Sequence, residues 1–284
     1  VLLMGVGAVF FIYLGAERLW GRRSAVFTSL ILIGNHFFIH LIRCGVGYGQ
    51  ITFFTAATFY LFLRAYQDRS YAWVHTGGVV LGISCLSYQA AYILPFLWGL
   101  LFLFVWTVRR TDLSFLIKAV LGGYVAMILT LSPLLLAVKK ENVPFLDRTR
   151  QVLVGNEGSM LHLDSMYQTG GSRTQIWKEQ FKRALFAPTV FNDTSMQYKG
   201  PAPIFERLGG ALLMMGVVLA IWSVRDGRLM LPVLCALPIL VIGGALTIDC
   251  PFYPRLAGVP PMLALIAGRT LDRLISPEEA SRKK

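Results

Sequence analysis

The sequence predicts an all-α, polytopic membrane helical bundle of about nine spans, with a partly helical extracytoplasmic segment between spans six and seven. Three observations carry that prediction. Of 284 residues, 55% are hydrophobic and only 15% charged, with a mean hydropathy of +0.60, whereas a soluble domain carries about 25% charged residues. The apolar residues fall in runs close to the ~20 that a helix needs to cross the hydrocarbon core. The links between those runs hold the Lys and Arg residues, and they hold them unequally.

Taken in order, the runs lie at 2–19, 24–42, 51–63, 72–91, 92–108, 115–138, 208–224, 229–247 and 259–274. The third is short unless it begins in the preceding loop. The fourth and fifth are separated by almost nothing, so "SYQAAYILP" predicts a tight re-entry with Pro95 in the first turn of the next helix. The resulting regions are a six-helix part (1–138), an external segment (139–207), a three-helix part (208–275) and a tail (276–284). The chain opens at Val1 inside an apolar run with no basic leader. The expectation is therefore a fragment with further sequence upstream rather than a signal peptide.

Orientation follows from the basic residues. The links carrying Arg18, Arg22, Arg23, Arg64, Arg69, Arg109, Arg110, Lys118, Arg225 and Arg228, together with the carboxyl-terminal region, hold fifteen of the 27 Lys and Arg residues. The short links on the opposite side hold two, Arg43 and Arg255. The carboxyl terminus is thus expected in the cytoplasm of a bacterial inner membrane. "RCGVGYGQ", "SYQAAY", residues 139–207 and the knot "LTIDCPFYPRLAGVPP" all fall outside.

The net charge of +12 is explained by those loops, so no nucleic-acid partner is expected. The four cysteines (Cys44, Cys85, Cys235, Cys250) form no CxxC pair, which gives neither a zinc site nor a disulfide framework. There is no phosphate loop, nucleophile elbow or HExxH, and "GVGYGQ" lacks the strand–helix context of a dinucleotide fingerprint. His36 and His40 share one helical face, but no third ligand is visible beside them. No Asp or Glu sits mid-span, which argues against an ion-coupled carrier.

In the external segment, "TQIWKEQFKRALF" sets Trp177, Phe181 and Leu185 on one stripe with Lys178, Lys182 and Arg183 off it. Two readings stand: a helix in the membrane surface, or a helix packed on the rest of the external segment. "NDT" at Asn192 matches a glycosylation sequon by pattern alone.

Several pieces, in order, carry a resemblance. They are Arg22–Arg23, Arg43, the aromatic stretch from Tyr60 to Arg64, Gly78 with Gly82, Tyr88 with Gln89, and "ALTIDCPFYPRLAGVPPMLALIAG". The chain resembles the GT-C membrane glycosyltransferases, more narrowly the bacterial relatives of protein O-mannosyltransferases and aminoarabinose transferases. One departure is Tyr92, where many relatives carry Arg after the Tyr motif.

The resemblance implies transfer of a sugar from a polyprenyl-phosphate carrier to an acceptor (lipid, protein or polysaccharide) on the extracytoplasmic face, with membrane lipids as surroundings. Arg43 and Arg255 become the donor phosphate ligands, because a planar guanidinium binds phosphate through charge-assisted hydrogen bonds. Tyr88, Gln89, Asp249 and Tyr253 become contacts to the sugar or lipid head. The catalytic base is expected upstream of Val1, which would leave the fragment inactive by itself. No cofactor is assigned, and a divalent metal stays open. The other function classes are a flippase or permease of lipid-linked substrates, and a non-catalytic membrane scaffold.

Overall fold

The computed structural model describes residues 1–45, 47–109, 112–141, 151–155, 157–195, 202–224 and 227–276, together with Gly200. Arg110, Arg225 and the tail 277–284 lie outside them. The first half is a run of helices: α1 (Leu2–Trp20), α2 (Arg22–Ile33), α3 (His36–Arg43), α4 (Tyr48–Gln67), α5 (Tyr71–Ser87), α6 (Ile93–Arg109) and α7 (Leu113–Glu141). A 3-10 turn at Gln89–Tyr92 makes the tight re-entry between α5 and α6. The segment 139–207 contributes α8 (Glu157–Tyr167) and α9 (Arg173–Phe186). Then come α10 (Arg207–Trp222), α11 (Met230–Leu240) continuing as a π-helical turn to Ala245, and α12 (Val259–Ile275). Among the described residues, pairing of extended backbone is confined to one antiparallel bridge, Leu153 with Thr247.

The apolar pattern is read twice over. One set of side chains fills a continuous core centred on α4 and α12, including Phe54, Phe59, Phe62, Leu63, Leu263 and Leu265. A second set stays outward, among them Phe10 on α1, Val125 and Leu129 on α7 and Val218 on α10. An outward apolar face costs little in hydrocarbon and much in water. Among the described residues, α1, residues 89–108 and α7 are each long and apolar enough to cross a membrane alone. A fourth span results if α2 and α3 count together; they meet at 64°. The count of nine is therefore not reached by length and composition.

The bend at Gly34–Asn35 has a local cause. Asn35 caps α3, its side-chain oxygen accepting the Phe38 N–H, so α2 stops and a new helix starts at an angle. The Asn35 amide also donates to the Ile204 carbonyl at 2.6 Å, pinning the break to the external segment.

Two ends of the bundle are distinct. At one, Arg18 reaches Asp68 at 2.9 Å and Arg64 reaches it at 2.7 Å. The hydrogen bond from Arg18 holds the Asp68 carboxyl below its usual range. There too Arg228 donates to the Leu19 carbonyl, and Arg23 and Arg269 close on Asp272. The other end gathers Tyr48, Tyr88, the 246–256 turn, α8 and α9.

Gly78 and Gly82 seat α5 on α7. A Cβ at Gly78 would stand 2.2 Å from the Gly123 carbonyl oxygen, which is backbone and cannot swing aside. Without a hydrophobic force between helices in lipid, such close backbone approach supplies the packing. Gly78→Leu should therefore pry α5 from α7 and cost about 3 kcal/mol, visible as a lower thermal midpoint in detergent.

Candidate functional site

The "LTIDCPFYPRLAGVPP" knot is built as a strap. Residues 152–154 pair with 246–248: Val154 N–H donates to the Leu246 carbonyl and Ile248 N–H to the Val152 carbonyl, both at 2.9 Å. Thr194 ties the strap from the other side, its hydroxyl donating to the carbonyls of Asp249 and Pro251. Gln180 of α9 donates to the Thr247 carbonyl at 3.0 Å. With three neighbouring segments fastened to it, the strap is a fixed platform rather than a loose loop.

Arg255 sits on a short 3-10 turn, Tyr253–Leu256, at the foot of that strap. Its guanidinium donates to the Ile248 carbonyl at 2.5 Å and lies 4.2 Å from the centroid of the Phe252 ring. Stacking on an aromatic face orients the fork while leaving its plane edge-on to neighbours. Gly243 makes this placement feasible: a Cβ there would meet the Arg255 carbonyl oxygen at 2.9 Å.

Arg255 lines a cavity of about 310 Å³ together with Tyr48, Tyr88, Gln89, Tyr92 and Thr247. The Tyr48 and Tyr88 rings meet edge to face at 4.9 Å. Ile93, Phe96, Ile239 and Ile242 supply apolar wall. A concave site of this size, mostly apolar with a few convergent polar groups, is the usual form of a ligand site. Here its polar groups are one guanidinium, phenols, an amide and a hydroxyl, a set suited to an anion carrying hydroxylated and greasy parts.

The other residues singled out in the sequence are placed elsewhere. Arg43 ends α3, exposed, and is not among the cavity-lining residues; the 64° bend carries α3 along a different line from α2. Asp249 does not pair with Arg255 here. Its carboxylate meets His162 Nε2 of α8 at 2.7 Å, with backbone φ of 61°. Tyr253 is 0% exposed. Its hydroxyl donates to the Phe191 carbonyl at 2.6 Å, its N–H donates to Asp193, and its ring packs on Phe37 at 5.0 Å. That makes Tyr253 a fastening of the turn rather than a surface for a sugar. Tyr253→Phe should cost about 1–2 kcal/mol of stability, because the Phe191 carbonyl loses a buried partner. Ligand affinity at the cavity should be unchanged, and parallel melting and binding curves separate the two.

Sequence reasoning passed over Tyr48, Thr247, Phe252 and residues 152–153. Tyr48 stands in "GVGYGQ", whose position opposite "SYQAAY" was the available signal. The external helix α9 buries Ile176, Gln180 and Ala184, one residue earlier than the Trp177 stripe, and leaves Phe181 and Leu185 outward. Burial pushes the Cys250 thiol up to about 12, so that it lacks thiolate reactivity. His36 Nε2 lies 2.8 Å from the Pro203 carbonyl and His40 Nε2 lies 3.0 Å from Cys44 Sγ. Among the described residues no three metal-ligating side chains come together.

Known proteins share this architecture. The family model described as dolichyl-phosphate-mannose-protein mannosyltransferase matches residues 1–136. ArnT from Cupriavidus metallidurans, solved bound to undecaprenyl phosphate, superposes with a TM-score of 0.58 at 18% identity. The match covers 99% of this chain and 46% of that one. The fold is that of ArnT. An archaeal relative of the fold, the oligosaccharyltransferase AglB from Archaeoglobus fulgidus in complex with an inhibitory peptide and a dolichol-phosphate, gives a TM-score of 0.58 at 14% identity. It covers 99% of this chain and 39% of its own. The chain thus spans less than half the length of these solved structures. No curated protein matches its sequence.

Proposed function

We propose that this chain belongs to a membrane glycosyltransferase that takes a sugar from a polyprenyl-phosphate carrier and passes it to an acceptor on the extracytoplasmic face. The observation that carries the reading is the seating of Arg255, stacked on Phe252 and lining a cavity with Tyr88 and Gln89. A carrier presents a long apolar tail and one phosphate, and the cavity offers apolar wall and one arginine in matching order. With five N–H donors in a fork, an arginine can hold a carbonyl and still donate to a phosphate oxygen. As the glycosidic bond breaks, negative charge grows on the leaving phosphate, and a preorganised guanidinium stabilises that charge more than it stabilises the intact donor. Tyr88 and Gln89 would orient the sugar end.

Structures of the same fold hold undecaprenyl phosphate and dolichol-phosphate, which supports this class of donor. The nine-span topology, with the carboxyl terminus in the cytoplasm, belongs to the same reading. The arginine-rich end would face the cytoplasm and the Arg255 cavity the outside, as the distribution of basic residues in the short links requires.

Purified in detergent, the chain should bind a polyprenyl phosphate and leave the matching polyprenol unbound, because the alcohol offers no anion to Arg255. Equal affinity for both would overturn the reading.

A further inference from the structure

The arginine-rich end holds a second cavity, of about 480 Å³, that a sugar-carrier site at the opposite end leaves unused. Arg18 of α1, Arg69 of the α4–α5 link and Arg228 ahead of α11 all line it, with Gln67 beside them. Apolar side chains such as Phe104 and Leu231 form its inner wall. No carboxylate lines it among the described residues. The nearest acid in the ion-pair network, Asp68, is already shared between Arg18 and Arg64.

Arginines in cytoplasmic links are expected from topology alone, and most of them point into solvent separately. These three differ in converging. Arg18 is fixed by two bonds to the Asp68 carboxylate, at 2.9 and 3.3 Å. Arg228 is fixed by the Leu19 carbonyl at 3.2 Å. Arg69 follows Asp68 in a left-handed turn, φ 48°, that closes α4. The carboxyl ends of α1 and α4 also point this way, and each contributes only about half a negative charge. Among the described residues that line the cavity or share its ion pairs, four arginines stand against one carboxylate and outweigh them, which gives the cavity a positive field.

A positive rim over an apolar inner wall, at the end of a membrane bundle, has a definite complement. We infer that this cavity binds a phosphate anion, supplied by the headgroup of an anionic membrane lipid or by free phosphate. Basic pockets between helix ends recognise anionic headgroups by this combination of charge and apolar contact. The site stands apart from the Arg255 cavity, and its occupancy would not depend on sugar transfer.

The test uses the 284-residue chain in detergent, titrated with phosphatidylglycerol, with phosphatidylcholine and with inorganic phosphate, and read by native mass spectrometry. Phosphatidylglycerol should bind at least tenfold tighter than phosphatidylcholine. The double variant R69Q/R228Q should lower that affinity about thirty-fold, with the thermal midpoint of the protein checked alongside. If inorganic phosphate competes with the lipid in the same arginine-dependent way, the inference holds with free phosphate as ligand. If it does not compete, the inference holds with the lipid as ligand. Equal binding of the two lipids by the unaltered chain, with no binding of inorganic phosphate, would overturn it whether or not the double variant folds. Retention of full phosphatidylglycerol affinity in a well-folded R69Q/R228Q would overturn it as well.

Discussion

Arg255→Ala should weaken binding of a polyprenyl phosphate by about thirty-fold, or about 2 kcal/mol, the value of a hydrogen bond to a charged group. Under the proposed function the loss in turnover should be larger, because the phosphate carries more charge in the transition state than in the bound donor. Arg255→Lys should recover only part of the affinity. It keeps the charge but loses the planar fork and the fit over Phe252, whose ring centroid lies 4.2 Å from the guanidinium carbon. Some destabilisation accompanies either change, since the bond to the Ile248 carbonyl goes too. That loss should be about 1 kcal/mol, too little to unfold the strap with its bonds to 152–154, Thr194 and Gln180 in place. An Arg255→Ala variant that melts normally and still prefers the phosphate to the alcohol would remove Arg255 from the site.

The reason Arg255 could be singled out from sequence is that it is one of two cations in the short links on one side of the bundle. Charge asymmetry survives folding, because it reflects where the chain crosses the membrane. Tyr88 and Gln89 were reachable for a similar reason: the turn between α5 and α6 has so few residues that its side chains must stay at the bundle end. Depth within the turn was not legible. Tyr253 and Arg255 are two residues apart, yet one is sealed under Phe37 and Asp193 and the other lines the cavity. The difference is set by 187–195 closing over the turn, and no local pattern encodes that.

At Arg43 the local signal for its placement is in the sequence. "GN" at 34–35 is a helix stop followed by a cap, and it breaks the apolar run 24–42 into two helices at 64°. At α9 the apolar stripe and the buried face differ, and Phe181 and Leu185 stay outward, as the reading of a helix in the membrane surface expects. Hydrophobicity favours Trp177, Phe181 and Leu185, but Gln180 is buried through its bond to the Thr247 carbonyl. A polar residue with a specific partner is invisible to any apolar pattern. The short apolar helices α10 and α11 fall below the length of a span, which accounts for two of the spans that length and composition alone do not recover.

Loss of the Asp272 carboxylate should be among the most damaging single changes to stability. The side chain is only 7% exposed and accepts from Arg23 Nε and Arg269 Nη1, each at 2.5 Å, and from the Ser24 hydroxyl. Arg23 and Ser24 open α2, so the carboxylate also sits at the positive end of that helix. Asp272→Ala would leave two guanidinium groups facing one another at the junction of α2 and α12. Breaking a buried pair by removing one partner costs about 3–5 kcal/mol. Arg23 retains 41% exposure and Arg269 18%, so solvent relieves part of the strain and the expected loss is about 3 kcal/mol. Asp272→Asn keeps the shape and one acceptor and should cost less than half as much. Replacing Arg23, Arg269 and Asp272 together by apolar residues should be milder than Asp272→Ala alone, because no uncompensated charge remains. Thermal unfolding of the three variants in one detergent ranks them. If Asp272→Ala melts with the wild type, the cluster is a surface decoration and does not hold α2 to α12.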